Sequence, residues 1–121
     1  MSADNEVSME LPAWLNGIDV AITVCDREGV IITMNERAAK TFAADGGRAL
    51  VGKSLMACHP EAARQKIRLL MKTGTGNSYT IEKNGVKKLI HQEPWYRDGE
   101  MGGLVEFSIV IPFSLPHFVR G

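Results

Sequence analysis

Valine, isoleucine and threonine crowd residues 19–35, DVAITVCDREGVIITMN, in two runs separated by Asp26-Arg27-Glu28-Gly29. Such runs predict a pair of strands, and Gly29 stands where a tight turn often needs positive φ. Ahead of them the rhythm differs. LPAWLNGID sets Leu11, Trp14, Leu15 and Ile18 at helical spacing. Pro12 suits a first helical turn and Asn16-Gly17 its end, so a short helix over 11–18 is predicted.

Asn35 precedes ERAAKTFAA, where its side-chain oxygen can cap a helix whose buried face is Ala38, Ala39 and Phe42. DGGRALVGKSL reads as a glycine-punctuated connector. HPEAARQKIRLLMKTG is the clearest helix: Pro60 fits its first turn, Glu61 complements the dipole, and Gly74 closes it. Ala63, Ile67, Leu70 and Met71 form its apolar stripe, with Arg64, Lys66, Arg68 and Lys72 mostly outward.

Three strands end the chain. SYTIEK and VKKLIHQEPWY flank Asn84-Gly85, a strong hairpin signal, and LVEFSIVIP pairs back across RDGEMGG. A two-residue loop at Asn84-Gly85 sets Ile81 against Lys88 and Tyr79 against Ile90. Tyr79, Ile81, Val86 and Ile90 then share an inward face, opposite Ser78, Thr80, Leu89 and His91. In the last strand Val105, Phe107, Ile109 and Ile111 alternate with Glu106 and Ser108. The odd positions are therefore expected inside and Glu106 outside. Elements in this order predict an α+β domain, a five-stranded antiparallel sheet with helices packed on one face.

Three stretches carry a family resemblance: ITVCDREGVIITMNERAAKTF, LVGKSL and WYRDGEMGGLVEFSIVI. The first resembles the opening hairpin of PAS sensor domains, the second their connector and the third their closing hairpin. Over residues 11–112 the chain is similar to that family. Its CHPE helix start and IPFSLPHFVRG ending resemble those of small single-PAS bacterial proteins. Many PAS domains end in an Asp-Ile-Thr run leading to an effector, and VIPFSLP stands there instead. The resemblance implies a curved sheet and helices around a small cavity, which in some members holds haem, flavin or a metabolite and in others nothing. The expected organisation is a disordered segment at 1–10, the PAS-like domain at 11–112 and an extended tail at 113–121.

Composition narrows this further. The 121 residues suit one core, and 14 basic against 14 acidic residues leave no net charge to attract nucleic acid or an anionic membrane. Lys83, Lys87 and Lys88 read as a solvated hairpin. MSADNEVSMEL is acidic and polar, not a secretory signal, and the apolar runs are strand-sized, so a cytoplasmic protein with reduced Cys25 and Cys58 is expected.

His59, in ACHPE, is the residue that most resembles chemistry. Haem-binding PAS domains take a histidine from the helix that begins here, so the resemblance makes His59 a candidate axial ligand. Against it, a residue at a helix start leans away from the cavity, whose positions begin at Ala63. His59 is therefore read as a helix start, with haem as the alternative. A zinc site at Cys58 and His59 lacks further ligands, since His91 and His117 stand apart. Cys58 adjoins a helix N-terminus, which can lower a thiol pKa, while Cys25 reads as a core residue. No spacing among Glu93, Asp98, Glu100 and Glu106 predicts an acid–base pair.

The expectation is a non-enzymatic sensory or interaction module, with no catalytic residue and no metal. It is a homodimer through Leu11, Trp14, Leu15 and Ile18, with a signalling protein as a possible partner and an unidentified small molecule as ligand. Phe42, Met56, Ile67, Leu70, Tyr79, Ile90 and Phe107 are expected to line the cavity. A small cone-shaped α+β enzyme is the alternative of another class, and it requires an inward acid.

Overall fold

The computed structural model describes residues 10–57 and 59–121. The predicted disordered segment therefore lies, Glu10 apart, outside the described residues, as does Cys58 with the readings placed on it. Five strands, β1 (Val20–Asp26), β2 (Ile31–Met34), β3 (Asn77–Lys83), β4 (Val86–Arg97) and β5 (Glu100–Ile111), form one antiparallel sheet in the order β2-β1-β5-β4-β3. Between the two hairpins come α2 (Glu36–Thr41), 3-10 turns at Ala43–Asp45 and Gly47–Leu50, and α3 (Glu61–Thr73); α1 (Ala13–Asn16) precedes them. The predicted five-stranded α+β architecture is the one observed.

Local chemistry accounts for the turns. Asn84 and Gly85 both take positive φ, 54° and 78°, and join β3 to β4 with Lys83 paired to Val86. Asp98 and Gly99 repeat this at 53° and 81° between β4 and β5. Double positive φ matches the right-handed twist of the strands, which is why these dipeptides make tight hairpins. At the first hairpin one carboxylate oxygen of Asp26 accepts from the N–H groups of Glu28 and Val30, each at 2.9 Å, while Gly29 takes φ 82°.

Asn35 is fully buried and uses its whole amide. Its oxygen accepts from Ala38 N, capping α2, and from Ile22 N, both at 3.0 Å. Its nitrogen donates to the carbonyls of Leu15 at 2.7 Å and Val20 at 2.8 Å. One side chain thus ties α2 to β1 and to the chain end that enters the sheet.

The predicted helix over 11–18 is a single turn, Ala13–Asn16, and Trp14 is 64% exposed. In α3 the N-cap is Pro60, with extended φ and ψ, so Pro60 precedes the first turn instead of lying in it. Gly74 ends the helix in the left-handed region at φ 69°, as a C-terminal glycine does. Ile67 and Leu70 are its buried residues, each contributing about 1.5–3 kcal/mol of apolar burial. They join Cys25 and Leu104 in one core cluster; Ala21, Ile31, Met34, Ala38 and Leu50 form another, and Leu55 packs against both.

The face of β5 corrects an expectation. Thr23, Cys25, Gln92, Leu104 and Glu106 line the helix side, and register sets Thr23 opposite Glu106 and Glu106 opposite Gln92. The alternation of a strand then sends Val105, Phe107 and Ile109 to the opposite face. There they adjoin Ile22 and Val24 of β1, which are only 8% and 7% exposed. The apolar alternation of β5 is real, but it marks the outer face.

Candidate functional site

A cavity of about 220 Å³ lies between the sheet and the helices. Its apolar lining comes from both core clusters: Cys25, Ile67 and Leu104 on one side, Ile31, Met34 and Leu50 on the other, with Phe42 and Leu55. Its polar lining is Thr23, Asp45, His59, Gln92 and Glu106.

Three of those polar residues stand in one row across adjacent strands. Thr23 on β1 pairs with Glu106 on β5, which pairs with Gln92 on β4, which pairs with Asn77 on β3. Hydrogen bonds run along the row in one direction. Asn77 Nδ2 donates to Gln92 Oε1 at 3.0 Å, which turns the Gln92 amide so that Nε2 donates to Glu106 Oε2, also at 3.0 Å. Among the described residues, Glu106 Oε1 receives no hydrogen bond. Burial pushes the Glu106 carboxyl above the usual range, because a charge loses water there; the Gln92 bond and the nearby His59 pull it partly back.

His59 faces this row, which overturns the expectation that it leans away. The helix rule does not reach it, since α3 begins at Glu61 and His59 sits in the turn before it. Nδ1 of His59 lies 2.5 Å from the Leu55 carbonyl. A carbonyl can only accept, so Nδ1 carries a proton, and Nε2 is an acceptor when the ring is neutral and a donor when it is charged. Cys25 is 2% exposed, and burial, with smaller effects of Asp26 and Glu106, pushes its thiol up to about 11.

Of the residues expected at the cavity, Phe42 and Ile67 line it. Leu70 is buried beside Ile67 in the core, and Met56 packs on the same cluster. Ile90 is buried but lies outside the lining, and its partner Tyr79, on edge strand β3, is 44% exposed. Phe107 is on the other face, its ring centroid 6.4 Å from that of His91. Gln92, Thr23 and Glu106 were missed because they are polar at positions where apolar residues mark an inward face. The hairpin at Asn84-Gly85 signals only the Asn77–Gln92 pair; Gln92 meets Glu106 because of a bulge at Trp95/Tyr96, and Thr23 meets Glu106 through the long-range pairing of β1 with β5. The inward acid that an enzyme of the cone-shaped kind requires is present as Glu106, which the alternation of β5 predicts on the outside.

Haem, which the resemblance brings for His59, does not fit this cavity. Its volume is below the roughly 300–1,000 Å³ that holds drug-sized ligands, and a tetrapyrrole is larger than those. Among the described residues no helix is long and apolar enough to cross a membrane.

The fold recurs in solved signalling proteins. A sensory box sensor histidine kinase from Vibrio cholerae superposes with a TM-score of 0.61 at 16% identity, over 84% of this chain and 89% of that one. The Aer2 receptor of Vibrio cholerae, described as a dual PAS-haem oxygen sensor, gives 0.56 at 19% identity, over 77% and 95%. VqmA bound to DPO gives 0.67 at 13% identity, over 84% of this chain and 56% of that one; VqmA is a Vibrio cholerae protein. At these identities the likeness is one of fold. No curated protein matches the chain. The family model of the PAS fold matches residues 15–111, from the helix turn before β1 to the last residue of β5. The chain belongs to the PAS fold family, whose domains are in general sensory modules of signalling proteins and not enzymes.

Proposed function

We propose that this chain is a non-enzymatic, cytoplasmic sensory module that takes a small molecule into the cavity between sheet and helices and signals through a homodimer. The observation that carries the reading is the cavity of about 220 Å³, apolar on most of its wall and crossed by one ordered polar row. Such a lining supplies affinity through apolar contact and selectivity through a few oriented polar groups. In this reading the domain spans 11–112, and the tail 113–121 is an extended appendage. A signalling protein receives the output.

The homodimer rests on the outer sheet face. Val105, Phe107 and Ile109 are half-buried there and make it more apolar than a solvated sheet face needs to be, and apolar patches of this kind mark association sites. Trp14 is exposed, available with Leu11, Leu15 and Ile18 to extend the contact.

Native mass spectrometry of the protein as purified tests both parts. The expected spectrum is a dimer, with a retained small molecule or with one acquired from a metabolite extract. A strict monomer at high concentration overturns the dimer. A chain that stays empty in every extract, and keeps its melting temperature when Ile67→Trp fills the cavity, overturns the ligand site.

A further inference from the structure

The cavity in which that reading seats a ligand has a marked polarity of its own. Its titratable lining groups are Glu106, Asp45, His59 and the Cys25 thiol, with no lysine or arginine. The hydrogen bonds inside the row are directed: two amides, Asn77 and Gln92, pass donors toward Glu106, and the row ends on a carboxyl group. Oε2 is occupied by Gln92, and among the described residues Oε1 has no donor. Nearby, His59 donates its Nδ1 proton to the Leu55 carbonyl, and Nε2 accepts whenever the ring is neutral. The polar end of the cavity thus presents a carboxyl oxygen to which no described residue donates, set in an apolar chamber.

From this arrangement we infer that the ligand is a small nitrogen base, an amine or N-heterocycle with an apolar body, whose N–H group donates to Glu106 Oε1. The inference deepens the ligand-site reading and depends on it. A cationic or N–H-bearing head completes the row, and the remainder of the molecule replaces water against Phe42, Ile67 and Leu104. A carboxylate or phosphate head sets a further anion beside the two carboxyl groups Glu106 and Asp45, with His59 alone to offset it. The cavity volume, below that of drug-sized sites, restricts the body to about one ring or a short chain. Because burial already raises the Glu106 carboxyl, a base entering the empty cavity can take up its proton and leave the ion pair behind.

Three probes with one body decide it: benzylamine, benzyl alcohol and benzoate, titrated by calorimetry into the full chain and into E106Q. The expected result is benzylamine bound at least tenfold tighter than benzyl alcohol, and benzoate not bound. In E106Q, which keeps the acceptor for Gln92, benzylamine falls to the level of the alcohol. Equal affinities of amine and alcohol, preference for benzoate, or an amine preference that survives E106Q each overturn the inference while leaving the cavity as a ligand site. No binding of any probe overturns it as well, and the broader reading then stands or falls on the retained molecule seen by mass spectrometry. Circular dichroism and the melting curve of E106Q establish that the variant is folded. If it is not, Gln92→Leu, which removes the donor orienting Glu106, is expected to weaken benzylamine at least threefold more than benzyl alcohol; an equal loss of both overturns the inference.

Discussion

The indole N–H of Trp95 donates to the backbone carbonyl of Cys25 at 3.0 Å, joining residues seventy positions apart in the chain. The bond lays the ring across β5, and Gly102 is where it lies. A Cβ there would sit 2.2–2.5 Å from the ring atoms of Trp95. Gly103 has its own reason: at φ 152° its Cβ would meet the Cys25 carbonyl oxygen at 2.0 Å.

Gly102→Ala must therefore displace the indole. Overpacking of this kind costs about 1–3 kcal/mol. Urea unfolding should report that loss, and Trp95 emission should shift to the red as its N–H loses the carbonyl. An alanine variant as stable as the natural chain contradicts the contact.

Asn35→Ala removes four hydrogen bonds at once. At about 0.5 kcal/mol or more each, the loss is at least about 2 kcal/mol. Asn35→Asp keeps the oxygen that receives Ile22 N and Ala38 N but leaves nothing to donate to Leu15 and Val20. Its midpoint in chemical denaturation should fall between those of the natural chain and the alanine variant.

Glu106 makes stability depend on pH. Its folded pKa is raised above the ordinary 4.5, chiefly by burial, so the folded state binds the proton more tightly than the unfolded one. The contribution is favourable below the unfolded value and is lost as pH rises through the folded one. Asp45, His59 and Cys25 line the same cavity and set the local field. E106Q is expected to raise the melting temperature at pH 7, with the gain shrinking toward zero near pH 4. A gain that grows on acidification contradicts the assignment.

Cys25 should be chemically silent. At 2% exposure, and with its thiol pushed up to about 11, it holds almost no thiolate at neutral pH. In a Cys58→Ser background, reaction with a disulfide reagent should proceed only at the rate of unfolding. Rapid labelling under native conditions refutes this.

Phe107→Arg places a charge in the middle of the outer face while leaving the cavity lining untouched. Sedimentation should show the proposed dimer dissociating with secondary structure intact. A dimer unaffected by this change relocates the interface.

Much of the fold was legible because local chemistry determines it. Asn84-Gly85 sets the register of its hairpin, Asp98-Gly99 turns β4 into β5, Asn35 starts α2 and Gly74 stops α3, each by a property of its own backbone or side chain. The candidate site was less legible, for a specific reason. Hydrophobic alternation in β5 reports that one face is buried more than the other, not which face the helices cover. With an apolar outer face, Val105, Phe107 and Ile109 imitate an interior, and Glu106 imitates a solvent position. His59 departs from its expected direction for another reason: the lean of helical side chains does not govern a residue outside the helix, which begins at Glu61.

By itself, then, the sequence determined the elements, their turns and their order, because each depends on neighbours a few residues away. The tertiary structure alone decided which side of the sheet is the inside. The pairing of β1 with β5 brings Thr23 beside Glu106, more than eighty positions along the chain, and α3 and the turn before it close over that row. Parity within a strand is local, but its sign is set by where the helices pack. That choice makes Glu106 and His59 the walls of a cavity.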